Sequence, residues 1–533
     1  MKPPHLQIKW QRNRSISQKF GVLLVALLAW SGVASSQKWL PVTTPQFPVG
    51  VALQLTDGTI MVQENKTSNW WRLSADKFGH YNTGTWSAMP PMPAGYAPLF
   101  FASAVLPDGR VIIEGGEYNN VGGVEKKDWT NLGAIYDPFS NTWANVPAPP
   151  SWTHIGDAPS VVLPDGTFML GNCCDNPPQA ALLDPITLNW TVLTSSSGYL
   201  GKFDQNEEEG WTLLPGFNGG VLAVDSYWKM NDPTGTNSEI YNPAAGMWSF
   251  AGDTQAQLWD GDAACPPTKS RHELGPAVLR PDGTVFATGA NTCPSSAGHT
   301  AIFDTTKTPP TWTAGFDIPG VNDAGDASAS ILPDGNVLVD TNPGINTGPS
   351  TFYEYAYGGS GWVVIPQPAG LGGSTESGRM LVTPTGNVLF THVGSFQLWI
   401  YKPAGTYQPA WQPTITSYPA NCFEGQTYTV TGTQFNGFTQ GAAFGDDAQS
   451  ATNYPLVQIT NDITKHKFFA RTHSHSTMAV ATGAAVTFTS FDILPVSSGT
   501  EFGNSTMVVI ANGIPSNPVG IIVSQGSEAG PQK

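Results

Sequence analysis

Charged residues are scarce in this chain, and long apolar runs are almost absent. Asp, Glu, Lys and Arg make up 12% of its 533 residues, which argues against a charged helical bundle or an acidic disordered chain. Beyond residue 36 no apolar segment is long enough to cross a bilayer, so we expect no membrane span in the mature chain. Gly and Pro instead number 58 and 45, a proportion typical of turn-rich all-β proteins.

Cysteine is also rare, and its number is odd. The five residues are Cys173, Cys174, Cys265, Cys293 and Cys422, so at least one thiol stays unpaired. Cys265 and Cys293 flank one predicted hairpin and are a candidate disulfide pair. The adjacent Cys173 and Cys174 could form a vicinal disulfide, or one of them could pair elsewhere.

Positive charge is concentrated at the amino terminus. Five of the 24 Lys and Arg residues, and none of the 40 acidic residues, precede an apolar stretch from Phe20 to Trp30. Small residues follow up to Ser36, which predicts a signal peptide over residues 1–36 and a secreted, extracellular protein. The alternative is an uncleaved anchor, for which the stretch is short. Cleavage would leave a net charge of −21, which excludes nucleic acid as an expected partner.

Seven similar segments recur along the chain. Each has an apolar run, a turn that usually reads Pro-Asp-Gly or Asp-Gly, and a second run rich in β-branched residues, which predicts a β-hairpin. Successive turns are 51, 57, 51, 66, 52 and 51 residues apart, at Asp57, Asp108, Asp165, Gly216, Asp282, Asp334 and Thr385. A period near fifty with one such hairpin per copy predicts a seven-bladed β-propeller.

A second half-repeat follows most of these hairpins. It places a tryptophan after an acidic or Asn-Pro turn, at Trp86, Trp143, Trp190, Trp248 and Trp312. Large aromatic residues at this period are expected to pack between blades. Two other aromatic segments, Asn69-Trp70-Trp71 and Ser226-Tyr227-Trp228, could instead stack on sugar rings.

The fifty-residue period ends near Trp411. Six to eight short apolar or alternating segments follow, which predicts an early-set, immunoglobulin-like β-sandwich over residues 412–526. The predicted fold is therefore all-β, with a propeller over residues 37–411, the sandwich, and a flexible tail over residues 527–533. Residues 37–46 are expected to supply an outer strand to the last blade and so close the ring.

Five successive blades carry a carboxylate eight or nine residues before the turn. These residues are Asp157, Glu208 within the run Glu207-Glu208-Glu209, Glu273 with the neighbouring His272, Asp326 and Glu376. Carboxylates around one axis repel each other, so a cation, shared protons or bound water must compensate. Calcium would suit an oxygen-rich ring, whereas a nearby imidazole would favour a transition metal. The alternative is a solvated ring of acids that lines a wet channel.

Two histidines of the carboxy-terminal segment, His473 and His475, are further candidates. On a strand, residues i and i+2 point to the same face and can chelate a metal, but a turn would remove that geometry. Combined with Glu376, Asp326 and Glu273, they would form a His-carboxylate site on the propeller axis.

The order of signal peptide, seven-bladed propeller and carboxy-terminal sandwich resembles the galactose oxidase and glyoxal oxidase family of copper-radical enzymes, whose propellers are of the kelch type. The family holds copper with two tyrosines and two histidines, and the resemblance places His475 at one histidine position. Glu376-Ser377 stands where the family has a Tyr-His pair, and Phe100 or Phe101 where it has the crosslinked tyrosine. Because a phenyl ring cannot ligate copper, the resemblance implies a non-radical relative.

These observations favour a secreted propeller protein that binds a carbohydrate or cell-wall ligand, with a candidate divalent metal and copper disfavoured. A copper-dependent oxidase of sugars or aldehydes and a protein-interaction scaffold stay open as alternatives. No nucleophile–base pair identifies a reaction, so the sequence does not decide whether the protein is an enzyme. We expect a monomer with a small-molecule or carbohydrate partner.

Overall fold

The computed structural model describes Met1 and most of the chain from residue 38 onward. The described ranges are 38–123, 129–175, 177–193, 201–206, 208–216, 218–225, 237–260, 273–291, 296–444 and 450–526. The predicted signal peptide, the candidate pair Cys265 and Cys293, His272 and the tail all lie outside these ranges. No helix within the described ranges is both long and apolar enough for a membrane span.

The repeated Asp-Gly segments form tight hairpin turns, which confirms the interpretation of the repeat. The Asp57 side chain accepts a hydrogen bond from the backbone N–H of Thr59 at 3.0 Å, and Asp108, Asp165, Asp282 and Asp334 repeat this contact. The following glycine takes a positive φ, for example +86° at Gly109, which a side chain would strain. Each turn therefore reverses the chain between the two innermost strands of a blade.

Strands of the first four blades extend to Phe250, together with a strand that precedes them and a short two-stranded ribbon. Their bounds are β1 (Lys38–Pro41), β2 (Val49–Gln54), β3 (Ile60–Glu64), β4 (Trp70–Ser74), β5 (Thr85–Ala88), β6 (Pro98–Leu99), β7 (Ala102–Val105), β8 (Val111–Glu114), β9 (Tyr118–Asn119), β10 (Gly133–Asp137), β11 (Thr142–Val146), β12 (Ser160–Val162), β13 (Phe168–Gly171), β14 (Ala180–Leu183), β15 (Trp190–Val192), β16 (Trp211–Leu213), β17 (Val221–Val224), β18 (Ser238–Asn242) and β19 (Met247–Phe250).

The last three blades follow. Their strands are β20 (Leu274–Leu279), β21 (Thr284–Gly289), β22 (Thr300–Asp304), β23 (Thr311–Ala314), β24 (Ser328–Ile331), β25 (Val337–Thr341), β26 (Thr351–Tyr355), β27 (Trp362–Ile365), β28 (Gly378–Val382), β29 (Val388–His392) and β30 (Leu398–Lys402). Short 3₁₀ turns occur at Val121–Gly123, Thr375–Ser377, Pro409–Trp411 and Val496–Ser498.

The blades are seven antiparallel sheets, and the ring closes through the amino-terminal strand. The inner strands are β2, β7, β12, β16, β20, β24 and β28. In blade seven the order is β28-β29-β30-β1, with Trp39 opposite Tyr401. The predicted outer strand from residues 37–46 is therefore confirmed, and the first and last segments of the propeller share one sheet.

Outer-strand tryptophans connect six of the seven blades to the blade before them. The indole N–H groups of Trp143 and Trp190 donate to the carbonyls of Pro90 at 3.0 Å and Pro147 at 2.7 Å. The indoles of Trp39, Trp86 and Trp362 also donate to carbonyls of the preceding blade, and that of Trp312 donates to the Ser238 hydroxyl. Burying an aromatic ring while satisfying its N–H explains why the second half-repeat conserves its spacing along the chain.

The carboxy-terminal region, residues 412–526, forms a curled β-sheet with a sandwich-like core. Its strands are β31 (Thr414–Ser417), β32 (Asn421–Phe423), β33 (Thr427–Thr433), β34 (Ala442–Phe444), β35 (Leu456–Asn461), β36 (Lys467–His473), β37 (Val486–Asp492), β38 (Gly503–Ala511), β39 (Ile514–Pro515) and β40 (Val519–Ser524). Strand β36 pairs with β35 through its first half and with β37 through its second, so the sheet turns a corner there. The predicted all-β fold of propeller and sandwich is confirmed.

The carboxy-terminal region docks on the turn ends of the blades. Residues 472–480 run across four of them: Thr472 N–H donates to Thr56, and His475 N–H donates to Pro107 at 3.0 Å. Met478 N–H contacts Pro164 in the same way, and Gly216 N–H donates to Val480. Backbone pairing therefore joins this region to blades one to four, and the described residues from 38 onward form one compact unit.

Candidate functional site

The inner strands begin at one end of the central channel, which we call the rim. Hydrogen bonds link neighbouring blades there, from Asp326 N–H to the Leu274 carbonyl at 2.9 Å and from Gly116 N–H to the Gly156 carbonyl at 2.7 Å. All five predicted carboxylates stand within three residues of an inner strand: Asp157, Glu208, Glu273, Asp326 and Glu376. The structure therefore places them at the same end of the propeller.

A shared metal ion would also require the ligand atoms of these residues to lie close together. In the described part of the chain, two groups of three metal-ligating residues bring their ligand atoms within 4.8 Å of one another. They are Asp157 with Cys173 and Cys174, and Asp204 with Glu209 and Asp225. Neither group contains His475, Glu376, Asp326 or Glu273, so a metal shared by these three acids stays a prediction.

His475 and His473 lie at the opposite end of the blades from the rim. His475 follows the turn of blade two, and seven extended residues separate that turn from Phe100, a span of roughly 20 Å. Burial lowers the pKa of His475 to about 3, and the charge of His473 acts in the same direction. Its Nδ1 contacts the Thr489 hydroxyl at 2.9 Å, so the ring is a neutral, packed imidazole.

His473 is held by an acidic neighbour on the carboxy-terminal region. Its Nε2 lies 3.2 Å from Asp492 Oδ1, while Arg471 donates to Oδ2 of the same carboxylate at 2.7 Å. Burial alone would raise the pKa of Asp492, but hydrogen bonds from His473, Thr427 and Arg471 outweigh it and lower the pKa. His473 and His475 therefore have different partners and do not share one.

The segment that enters the channel is a different one from the histidine segment. Strand β34 pairs with the inner strand β24 of blade six, and Phe444 stands opposite Ser328, the first residue of β24. Phe444 thus reaches the level of the rim, where its ring lies 3.3 Å from the guanidinium carbon of Arg379. The same guanidinium is 5.7 Å from the ring of Phe100.

These residues do not fit the copper set of the family named above. Phe100 offers no lone pair, and the Tyr118 ring meets it edge-on with centroids 6.1 Å apart. Arg379 brings a fixed positive charge, held by donation to the Glu376 carbonyl at 2.6 Å. A phenyl ring and a guanidinium where copper would need anionic or imidazole donors exclude that donor set here.

One rim histidine was missed by sequence reasoning. His392 ends β29 and stands opposite Gly378, the first residue of the inner strand of blade seven. Burial lowers its pKa, and Nε2 has no hydrogen-bond partner among the described residues. A neutral imidazole therefore lies near the start of the strand that follows Glu376.

Cys173 and Cys174 form a vicinal disulfide beside Asp157. The carbonyl of Cys173 lies 3.3 Å from His154 Nε2, which is also 3.3 Å from Asp175 Oδ1. Metal binding by cysteine needs the thiolate, so the oxidised pair offers no such ligand. The vicinal alternative considered for these two cysteines is the one observed.

A fully buried group of charges lies in blade four, and we call it the blade-four cluster: Lys202, Asp204, Glu209, Asp225 and Glu239. Lys202 Nζ is 2.8 Å from Glu209, 3.4 Å from Glu239 and 3.7 Å from Asp225. Burial raises the pKa of Glu209 to about 8 despite Lys202, and burial also raises the pKa of Asp225. These acidic groups could hold a metal ion.

A large polar cleft opens between blade one and the carboxy-terminal region. It has a volume of about 640 Å³, within the range of ligand-binding pockets. The Lys467 N–H donates to the Lys77 carbonyl at 2.8 Å, and the Phe78 ring meets His466 edge-on at 5.4 Å. Phe469 lies on Gly58, where a β-carbon would overlap its ring. The two regions therefore meet closely at the margins of the cleft.

Charged groups of both signs line this cleft. Glu501 accepts from Thr464 and lies 2.6 Å from His466 Nδ1, and these contacts lower its pKa. Burial would raise the pKa of Asp76, but hydrogen bonds led by that of Thr83 lower it to about 2. Both carboxylates are ionised at neutral pH and can accept hydrogen bonds from a ligand. Positive groups come from Arg72, Lys77 and Lys467.

Comparison with known proteins agrees with the sequence interpretation of the propeller. No family model matches the chain. A curated relative, the Kelch-like protein terF of Aspergillus terreus, is 34% identical over 138 residues, which is 25% of this chain and 25% of the relative. The chain thus matches about a quarter of that relative's length. It resembles a galactose-oxidase-like kelch propeller.

Two solved structures are similar to this chain at low sequence identity. A fungal alcohol oxidase of the AA5 family, solved in complex with copper, is 13% identical with a TM-score of 0.49, over 92% of this chain and 99% of that chain. A catalytically inactive virginiamycin B lyase from Staphylococcus aureus, solved with quinupristin, is 8% identical with a TM-score of 0.45, over 69% of this chain and 100% of that chain.

The first predicted sugar platform, at Trp70 and Trp71, is not available in this propeller. Trp70 is 1% exposed, and Trp71 stacks on Phe47 while its indole donates to Glu64 at 2.9 Å. The second predicted platform, residues 226–228, lies outside the described ranges. Sequence reasoning also chose Glu208, whereas the structure brings its neighbour Glu209 into the blade-four cluster.

Proposed function

We propose that this protein is a secreted, non-radical, galactose-oxidase-like propeller that binds a carbohydrate or cell-wall glycan in the cleft between blade one and the carboxy-terminal region. The size and lining of the cleft carry this proposal. Its charges are mixed, with Asp57, Asp76 and Glu501 beside Arg72 and Lys467, which suits a neutral ligand rich in hydroxyl groups. An aromatic face at Phe469 adds apolar contact for the carbon face of a sugar ring.

The donor set at the rim is the reason for proposing binding without radical chemistry. Phe100 and Arg379 replace groups that could hold copper, and the matched histidine, His475, is buried at the other end of the blades. Those observations favour a binding protein over the copper-dependent oxidase. A protein-interaction scaffold is the remaining alternative, and a solvent-accessible polar cleft rather than an apolar patch argues for a small ligand.

The test is isothermal titration of the full chain with soluble cello-, xylo-, chito- and galacto-oligosaccharides. One of these classes should bind, and the double variant H466A/K467A should weaken that binding at least about tenfold, since both side chains line the cleft. The matched control is H299A/K307A on blade five. It removes a similar His-carboxylate contact, 2.8 Å from Asp317, and an exposed lysine.

Three results would contradict the proposal. Affinity unchanged in H466A/K467A would place the ligand elsewhere. Stoichiometric copper together with peroxide release from alcohols or aldehydes would support the oxidase instead. Failure of all four classes to bind at millimolar concentration would leave the scaffold as the better interpretation.

A further inference from the structure

We propose that Asp204, Glu209 and Asp225 bind one calcium ion inside blade four. Glu209 precedes the inner strand β16, and Asp225 follows directly after β17, so the hairpin of this blade brings the two carboxylates side by side. Asp204 comes from the segment that leads into the same blade. The three residues are 0–3% exposed.

Among the described residues, the acidic groups of the blade-four cluster outnumber its basic ones. Four buried carboxylates there share one ammonium, that of Lys202. Buried charges are strongly destabilising unless an opposite charge or several hydrogen bonds compensate them. A divalent ion together with Lys202 would supply three positive charges against four negative ones.

Asp225 is the group that indicates a missing ligand. Glu239 accepts the backbone N–H groups of Phe203 at 2.8 Å and Asp204 at 3.2 Å, and Glu209 accepts the indole N–H of Trp211 at 3.0 Å. By contrast, neither carboxylate oxygen of Asp225 has a hydrogen-bond partner among the described residues, although the side chain is 2% exposed. Its positively charged neighbour among the described residues of the cluster is Lys202, whose Nζ is 3.7 Å from Oδ1, while Glu239, Asp204 and Glu209 are negative neighbours.

The spacing and chemistry of the oxygens suit calcium. Ligand atoms of Asp204, Glu209 and Asp225 all lie within 4.8 Å of one another. Oxygens that share a calcium ion at about 2.4 Å are at most about 4.8 Å apart. Magnesium usually keeps several water molecules, which a site at 0–3% exposure leaves little room for, whereas calcium accepts protein carboxylates directly. Hard oxygen donors also disfavour soft transition metals.

Lys202 acts in this site as a counter-charge. An ammonium has no lone pair and cannot ligate a cation, but Glu209 at 2.8 Å and Glu239 at 3.4 Å hold it in place. The centroid of the Trp248 ring lies 5.8 Å from Nζ, and this cation–π contact further stabilises the ammonium. The ion would then be held by the other three acids while Lys202 remains paired.

The experiment uses the full chain stripped with EDTA and dialysed into calcium-free buffer. Titration with calcium chloride should give one bound ion per chain and raise the melting temperature, and magnesium chloride should do so at least about tenfold less effectively. D225N should bind calcium at least about tenfold more weakly and lose the thermal shift. In the calcium-free state it should be no less stable than wild type, because it removes an uncompensated buried charge.

The matched control is D340N. Asp340 is likewise a fully buried carboxylate, but it lies in blade six outside the cluster. D340N should bind calcium as wild type does. E209Q gives a second ligand variant in case D225N does not fold. Wild type that binds no calcium at millimolar concentration, or a D225N thermal shift equal to that of wild type, would overturn the proposal.

Discussion

The guanidinium of Arg379 stacks on the ring of Phe444, with 3.3 Å between the guanidinium carbon and the ring centroid. Arg379 belongs to the inner strand of blade seven, whereas Phe444 ends the strand that the carboxy-terminal region inserts beside blade six. Phe444 is 2% exposed, so the contact lies in the channel interior. The carboxy-terminal region is therefore part of the propeller core as well as a cap on its turn ends.

Removing this ring should destabilise the whole molecule. We expect F444A to lower the free energy of unfolding by roughly 3 kcal/mol, as for other buried phenylalanines. F250A is the control, because Phe250 is 60% exposed and should cost less than about 0.5 kcal/mol. Urea unfolding measures both, and a double-mutant cycle of F444A with R379M should show coupling of about 1 kcal/mol. Equal effects of F444A and F250A would show that the insertion is not part of the core.

The contribution of an inter-blade indole hydrogen bond to stability can be measured by comparing two tryptophans. Trp143 donates its N–H to the Pro90 carbonyl, whereas the Trp248 N–H has no partner in the described part of the chain. Substitution by phenylalanine removes similar volume at both sites, but only W143F also leaves a carbonyl without its donor. We expect W143F to be about 1 kcal/mol less stable than W248F in urea unfolding. The reverse order would mean that ring packing alone decides the effect.

The propeller could be predicted from sequence because its signals are local and repeated. The turn at Asp57 needs only Gly58 beside it and the N–H of Thr59 to form, and the same arrangement recurs around the ring. Closure of the ring by β1 could also be predicted, since Trp39 continues the tryptophan series of the outer strands. The turns depend on a few neighbouring residues, and the closure, although it pairs Trp39 with Tyr401, follows from the repeated tryptophan pattern.

The binding cleft and the blade-four cluster depend on contacts that no local pattern encodes. Tyr454 reaches the carbonyl of Gln54 across 400 positions of sequence, and the cleft forms because the two regions dock there. Spacing also could not decide between Glu208 and Glu209, because both precede β16 and Glu208 takes a positive φ of 55°, so the chain bends there and strand periodicity does not apply. Strand β34 (Ala442–Phe444), and not the histidine segment, inserts beside blade six, and the sequence spacing of these segments did not indicate this.

Cys422 should be inert in the folded protein. It is 0% exposed, and burial raises the pKa of its thiol to about 11, so very little thiolate exists at pH 8. A pulse of iodoacetamide at pH 8 should leave Cys422 unmodified in native buffer and label it fully in urea, as read by peptide mass spectrometry. The Cys173–Cys174 peptide serves as the control and should resist labelling in both conditions until it is reduced. Rapid labelling of Cys422 in native buffer would contradict its burial.

Asp323 should make the protein less stable as the pH rises. Burial raises its pKa from the ordinary value of 3.8 to about 7, with hydrogen bonds from the N–H groups of Gly325 and Asn291 opposing the shift and the charge of Asp260 adding to it. Between these values the folded chain keeps a proton that the unfolded chain has lost, so unfolding releases a proton and higher pH favours it. The loss amounts to roughly 4 kcal/mol between pH 4 and pH 8.

Comparison of wild type with D323N isolates this contribution from other titrating groups. Asparagine keeps an acceptor for Gly325 N–H, which lies 3.2 Å from Asp323 Oδ1, and has no charge to bury. D323N should therefore be close to wild type in stability at pH 4 and clearly more stable at pH 8, as measured by urea unfolding. D462N, at an exposed carboxylate, is the control and should follow wild type at both pH values. A stability difference between D323N and wild type that does not change with pH would mean that Asp323 is ionised in the folded state throughout.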